Sequence, residues 1–212
     1  MRGFITLLFV LTFTGCSFKS PPDIWRYESK NAFESYIKNR LSGNNELAQS
    51  DYKRALSHAK RGADIPLIAT LALGRCSIEY SLSSDLACED YLSVASMGGN
   101  SEHHAFYALL QKRFTQEQTL HMPKQYRAFA QALLKEEPHR IESEILGMEP
   151  ITSKIIAARI VEESLSKDTL EKIVESAAFY GYKESVIHFL NVKAKRFNEN
   201  SDKKRVEIIE SK

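Results

Sequence analysis

The amino-acid sequence predicts an all-α protein in which antiparallel helical hairpins stack as a short α-solenoid. Apolar residues recur every three or four positions through most of the chain, which is the spacing of amphipathic helices. No segment alternates apolar and polar residues between turn signals, as a half-buried strand would. Two segments also resemble each other at a separation of 36 to 39 residues, a period found in α-solenoids. An irregular helical bundle is the alternative.

The first two helices are predicted from an apolar face and from the small residues at their ends. Residues 23–41 form the first helix, and Gly43 ends it. Residues 46–60 form the second helix, with Ala and Leu side chains at helical spacing, and Gly62 ends it. The short connection between the two helices favours an antiparallel hairpin.

The third and fourth helices are predicted from residues that cap helix ends. Asp64 is a favoured N-cap residue and Pro66 suits the first helical turn, so a helix is predicted over residues 65–80. Its apolar residues lie on most of its sides, which is typical of a helix buried between neighbours. Asp85 is interpreted as the N-cap of the fourth helix, which extends to residue 96.

The remaining helices are predicted from the same periodicity. They span residues 101–114, 123–135, 140–146, 152–165, 168–180 and 182–197. The helical repeat domain is therefore expected over residues 24–197. Residues 198–212 are highly charged and are predicted to form a frayed tail, in which Val206, Ile208 and Ile209 are able to dock a final turn.

The N-terminus has the order of an export signal. Arg2 precedes ten almost entirely apolar residues, 4–13, and the small residues Thr14 and Gly15 then lead into Cys16. Ten helical residues are about 15 Å long, which is roughly half of what a bilayer core requires. A cleaved export signal is therefore favoured over a membrane span.

This order resembles a bacterial lipoprotein signal peptide, in which residues 1–15 are removed and Cys16 is lipidated. The resemblance implies stable membrane attachment, because several acyl chains bind far more strongly than one. Ser17 stands where many lipoproteins of the inner membrane have Asp, so the outer membrane, facing the periplasm, is favoured over the inner membrane. Residues 16–23 would form a short tether. Phe13 departs from the usual Leu, and ordinary cleavage after Ser17, which would release a soluble protein, is the alternative.

The charge balance gives no reason to expect nucleic acid as a partner. The full chain has a formal charge of +2, and removal of residues 1–15 takes away only one charged residue, Arg2. A nearly neutral protein lacks the basic surface that phosphate backbones require. No second long apolar stretch follows, so the body of the protein is expected to be soluble.

Internal similarity is the second strong feature of the sequence. Residues 47–52 recur as residues 86–91, and residues 59–64 parallel residues 95–100. Each copy places Ala and Gly where two paired helices would cross, so that larger side chains fill the space between them. This combination of period and small residues is typical of α-solenoids.

Residues 87–100, followed by Ala105, resemble a Sel1-like repeat, a close relative of the tetratricopeptide repeat. The resemblance is clearest over residues 47–114. It implies a surface that binds other proteins. The sequence departs from the family at residues 81–84, where the usual Gly-x-Gly turn is missing.

Cys76 and Cys88 are predicted to form a disulfide bond. Cys76 lies one turn before the end of the third predicted helix and Cys88 one turn after the start of the fourth, so a hairpin brings them together. An exported protein meets an oxidising compartment, and lipidation of Cys16 leaves an even pair. Sel1-like proteins with hairpin disulfides also exist as a class. Two buried thiols are the alternative, and zinc is disfavoured because no further His or Cys pair stands nearby.

The sequence contains no recognisable catalytic or metal-binding motif. It lacks a His-Glu-x-x-His motif, a Gly-x-Ser-x-Gly elbow, a glycine-rich phosphate loop and a Cys-x-x-Cys pair. Glu142 and Glu162 belong to Glu-rich segments that could supply a general acid for sugar cleavage. Solvated helix faces are the commoner role of such segments, so we expect neither an enzyme nor a cofactor.

A lipid-anchored helical repeat protein is expected to be a scaffold or assembly factor for a protein complex of the cell envelope. Aromatic residues are candidate anchors for a protein partner, although most of them are also expected in the core. They are Trp25, Tyr27, Phe106, Tyr107, Tyr126 and Phe129. The alternatives are an envelope enzyme such as a peptidoglycan hydrolase, and a lipoprotein that binds a small ligand in a closed apolar cavity.

Overall fold

A computed structural model describes residues 23–83 and 85–211, which form twelve helices and no strand. The helices are α1 (Ile24–Leu41), α2 (Asn45–Arg61), α3 (Ile65–Tyr80), α4 (Glu89–Gly98), α5 (Ser101–Leu110), α6 (Gln116–His121), α7 (Lys124–Leu134), α8 (Pro138–Gly147), α9 (Ile151–Ile160), α10 (Lys167–Phe179), α11 (Lys183–Phe197) and α12 (Asn200–Glu210). The predicted all-α class is confirmed. The predicted signal peptide and Cys16 lie outside the described residues. No helix among the described residues has the length and apolar character needed to cross a membrane.

Most helices pack against the next helix along the chain. The closest pairs are α1 with α2, α3 with α4, α7 with α8, α10 with α11, and α11 with α12. Short connections join the members of each pair, as the sequence predicted. The arrangement fits a helical repeat array or a bundle equally well.

The C-terminal half also folds back onto the first hairpins. Helix α9 contacts α3, and α11 contacts α1. Arg159 on α9 donates hydrogen bonds to the backbone carbonyls of Tyr80 and Ser83, at 3.2 and 2.9 Å, just after α3 ends. The carboxylate of Glu184 lies against Gly43, whose φ of +87° and missing Cβ permit this approach. In an open solenoid each repeat contacts only its neighbours, so these contacts close the array.

Small residues allow α1 and α2 to approach closely, as the sequence predicted. Ala48, Ala55 and Ala59 are buried on α2. The rings of Tyr36 and Tyr52 fill the space beside them with centroids 5.4 Å apart. This arrangement combines small residues at the crossing with aromatic side chains that supply buried apolar area.

The second predicted copy differs from the first, because α4 begins later than predicted. Asp85 is not its N-cap, and the first helical hydrogen bond runs from the amide of Leu92 to the carbonyl of Cys88. Cys88 is bonded to Cys76, so the chain reaches α4 through an irregular segment. As a result Ala87 is exposed and Ala95 only half-buried, unlike their counterparts on α2. The prediction that Ala87 permits close helix packing is therefore wrong, whereas Ala95 still packs against the core.

Two other predicted helices are shorter in the structure. The helix predicted at residues 101–114 ends at Leu110, and a separate helix, α6, follows with Thr115 and Gln118 forming a capping box. The helix predicted at residues 152–165 ends at Ile160. Beyond it, Arg196 donates hydrogen bonds to the carbonyls of Glu162 and Leu165, at 2.6 and 2.8 Å. These carbonyls thus accept from a side chain instead of from a continued helix.

The C-terminal segment forms a helix instead of the frayed tail that its charge predicted. Helix α12 packs against α11, and Val206 is buried. Lys193 on α11 is only 3% exposed and pairs with Glu171 on α10 and with Asp202 on α12, the latter at 3.3 Å. Arg205 also contacts both acidic residues. A cation buried between two carboxylates from different helices thus joins α10, α11 and α12.

Burial disfavours the charged forms of Glu171, Lys193 and Asp202. Their ion pairs and hydrogen bonds have the larger effect on the pKa values. Hydrogen bonds and attraction from Lys193 and Arg205 lower the pKa of Glu171. Contacts with Glu199 and Lys193 lower the pKa of Asp202, and the two carboxylates raise the pKa of Lys193. A carboxyl group whose pKa is lowered by folding stabilises the folded protein at pH values above the ordinary pKa of that group. This contribution is lost as the pH falls through the lowered pKa.

We therefore expect Lys193→Ala to lower the free energy of unfolding by about 3 kcal/mol at neutral pH, because it leaves buried carboxylates without their partner. Denaturant unfolding followed by circular dichroism measures the change. The difference from the parent protein should shrink as the pH falls below the ordinary pKa values of 4.5 for Glu171 and 3.8 for Asp202.

Lys172→Ala is the matched control. Lys172 also pairs with a carboxylate, Asp168, but both side chains are largely exposed, and such pairs add little stability. The midpoint of the Lys172→Ala variant should match that of the parent protein. Equal midpoints for all three proteins would show that the Lys193 cluster does not stabilise the C-terminal helices.

Candidate functional site

A groove runs along α3 between α2 and α4, and it is the candidate functional site. Three adjoining cavities of about 290, 480 and 340 Å³ compose it, and Arg75 lines all three. Helix α3 forms the floor, and α2 and α4 form the walls. We call this surface the α3 groove. The residues of α2, α3 and α4 that line it include Gln49, Tyr52, Lys53, Leu56, Ile68, Ala72, Arg75, Glu79, Asp90, Ser93 and Val94.

Arg75 occupies the centre of the α3 groove and joins its two walls. Its guanidinium lies over the Tyr52 ring of α2, 4.6 Å from the ring centroid. The same group donates a hydrogen bond to Asp90 of α4 at 3.0 Å. Burial raises the pKa of Tyr52, so its phenol stays protonated at neutral pH. Arg75 is therefore held by both walls while it still faces the groove.

A second fixed charge lies one turn further along α3. Glu79 accepts hydrogen bonds from Arg40 Nε and from the Tyr36 hydroxyl, each at 3.0 Å. Burial, followed by the attraction between Glu79 and the phenol proton, raises the pKa of Tyr36. The floor of the groove thus presents a positive and then a negative group, each oriented by neighbouring side chains.

The α2 wall offers polar groups without partners. Gln49 and Lys53 are exposed, and neither makes a hydrogen bond or ion pair with any other described residue. Leu56 and Ile68 add half-buried apolar surface between them. An extended peptide carries backbone donors and acceptors as well as apolar side chains, and this mixed lining is complementary to both.

Cys76 and Cys88 lie together, and their sulfur atoms are within bonding distance. Their Cα atoms are 5.1 Å apart, which is within the range of disulfide bonds. Both residues are buried and border the α3 groove. Cys88 precedes the first turn of α4 instead of lying within the helix, so the bond links the body of α3 to the N-cap of α4.

The aromatic residues that we considered as partner anchors differ in their exposure. Phe106, Tyr126 and Phe129 are buried in the core. Trp25 and Tyr107 are half-buried, and Tyr27 is 67% exposed. Only Tyr27 is therefore a largely exposed aromatic group among these candidates. The sequence did not single out Phe179 and Tyr180, which are exposed at the turn between α10 and α11.

The two Glu residues considered as general acids are held in structural contacts. Both oxygens of Glu162 are engaged, by Arg159 at 2.6 Å and by His188 at 2.7 Å. Glu142 is partly buried, but hydrogen bonds from Ser166 and Thr169 outweigh the effect of burial and lower its pKa. A general acid needs a raised pKa, so Glu142 does not have the property that this role requires. No cluster of His, Cys, Asp or Glu among the described residues is arranged to hold a metal ion.

Comparison with known protein families, with characterised proteins and with solved structures finds no match. The α3 groove must therefore be interpreted from its own geometry. Sequence reasoning missed Arg75 and Glu79, although a signal was present. They lie four positions apart and are the only charged residues of an otherwise largely apolar helix, so they fall on the same exposed stripe.

We expect Cys76→Ala/Cys88→Ala to lower the free energy of unfolding by about 3 kcal/mol, because the bond closes a short loop that the unfolded chain would otherwise leave open. Thermal unfolding with and without reductant measures this. Reductant should lower the midpoint of the parent protein and leave that of the double variant unchanged. A parent midpoint that does not respond to reductant would contradict a stabilising disulfide.

Proposed function

We propose that the protein is a lipid-anchored, periplasm-facing scaffold or assembly factor for a protein complex of the cell envelope. The observation that carries this proposal is the α3 groove, which offers oriented charges, free polar side chains and apolar surface along one helix. Its lining suits an extended peptide segment of a partner protein. The resemblance to lipoprotein signals at Cys16 and to Sel1-like repeats over residues 47–114 supports the same proposal.

The anchor and the groove have complementary roles in this proposal. Cys16 lies seven residues before Asp23, the first described residue, so the body is held within about 25 Å of the lipidated position. Attachment to one membrane raises the local concentration of the α3 groove for partners in that membrane. Ser17, which follows the lipidated position, favours attachment to the outer membrane over the inner membrane. The anchor therefore lowers the affinity that the groove–peptide contact needs.

The small-ligand alternative called for a closed apolar cavity, and the feature that comes nearest to it is an open groove. A second groove, between α1 and α3, has an almost entirely apolar lining. It lies on a different part of α3 from the α3 groove, so binding there is compatible with a scaffold function.

Cys16→Ala should abolish membrane retention and leave the fold intact, because none of the contacts described within residues 23–211 involves Cys16. Membrane fractionation and circular dichroism measure the two effects, and Ser17→Ala is the matched control, which should remain in the membrane fraction. Retention of the Cys16→Ala variant would contradict lipid anchoring.

Partner binding is tested by site-specific photo-crosslinking in intact cells, followed by mass spectrometry. A crosslinking amino acid at Gln49 or Lys53, both exposed on the α2 wall, should capture one and the same envelope protein. The same amino acid at Lys204, exposed on α12, should not capture it. If no protein is captured at Gln49 or Lys53, or if Lys204 captures the same protein, the α3 groove is not the scaffold surface.

A further inference from the structure

The groove between α1 and α3 is apolar and elongated. Its volume is about 810 Å³, which is in the range of pockets that hold small organic ligands. Ile24, Tyr27 and Phe33 line it from α1, and Leu67 and Leu71 line it from α3. Ile24 and Phe33 are nine positions apart on one helix, so the lining extends for about 14 Å. We call this surface the α1–α3 groove.

A close helix approach forms one end of this groove. A Cβ atom on Gly74 would lie 2.6 Å from the Phe33 ring, so the ring occupies the space that any other residue would need. Phe33, which lines the groove, therefore packs directly on α3 at Gly74. At the other end Ile24 is 45% and Tyr27 67% exposed, and this leaves a large apolar surface in contact with water.

The rim of the groove carries one cation that is not strongly paired. Arg26 donates a hydrogen bond to Asp64 at 2.7 Å, and that carboxylate also caps α3. Lys30 lies 3.8 Å from Glu34, and both side chains are more than 60% exposed. Such a pair contributes little and exchanges readily. The Lys30 ammonium is therefore available to an anionic group that enters beside the apolar lining.

The chemistry of the lining distinguishes between classes of ligand. A peptide would bring backbone N–H and C=O groups into the groove, and an almost wholly apolar lining would leave them without hydrogen-bond partners. A hydrocarbon chain makes no such demand. A ligand with one long apolar chain and one negative group at its end matches both the lining and the position of Lys30.

We infer that the α1–α3 groove binds a free long-chain fatty acid, with its hydrocarbon chain between Tyr27, Leu67 and Leu71 and its carboxylate paired with Lys30. This site is separate from the α3 groove and goes beyond the scaffold function. It places a fatty-acid site at the start of α1, where the described chain begins.

The inference is tested with a photoactivatable fatty acid added to cells that express the full-length chain, followed by mapping of the labelled peptides. Labelling should occur on the peptides of α1 and α3. Lys30→Glu should reduce it about tenfold, because the variant repels the carboxylate, and should not change the labelling by an uncharged photoactivatable fatty alcohol. Lys53→Glu makes the same charge change in the α3 groove and should leave both signals unchanged.

The outcomes separate this inference from the proposed anchor. Label attached at Cys16 reports lipidation, whereas label on α1 and α3 reports the groove, and a Cys16→Ala variant should lose only the first. The fatty-acid inference fails if α1 and α3 are not labelled, if Lys30→Glu has no effect, or if a photoactivatable lysophospholipid labels them and the fatty acid does not.

Discussion

Burial of α3 is the constraint on which the rest of the structure depends. Five other helices contact it, namely α1, α2, α4, α5 and α9. Its apolar residues point in nearly every direction, so it is stable only when neighbours cover most of its surface. The neighbours leave two stripes of α3 partly uncovered. Arg75 and Glu79 lie on one, and Leu67 lies on the other.

The sequence predicts the N-terminal helices well because their end signals are local. Helix α3 begins after Asp64 and ends at Tyr80 as predicted, since the Asp64 side chain accepts a hydrogen bond from the amide of Leu67. The predicted start of α4 was wrong. Asp85 is the same residue type as Asp64, but it is not the N-cap of a helix. Helix α4 begins directly after Cys88, which is bonded to Cys76, and a single cap residue does not reveal such a long-range link.

The other differences arise from contacts between residues that are distant in the sequence. Helix α6 has only six residues, too few for a periodic pattern, although its Thr115–Gln118 capping box is visible in the sequence. Helix α12 has a polar composition that predicts fraying, but its Asp202 pairs with the buried Lys193 of another helix. For the candidate site, sequence reasoning found Cys76 and Cys88 but not the groove beside them, because a groove is defined by the spacing of three helices.

The hydrogen bonds from Arg159 to the carbonyls of Tyr80 and Ser83 have a consequence for the order of folding. Arg159 lies 76 or more positions after the residues that it binds, so during synthesis the α3–α4 turn forms before its donor exists. Cys76 and Cys88 are separated by only 12 positions, and such a local closure is fast compared with long-range docking. Formation of the disulfide is itself a slow chemical step, so the short loop first brings the two thiols together, and the bond then holds the turn whose carbonyls Arg159 binds.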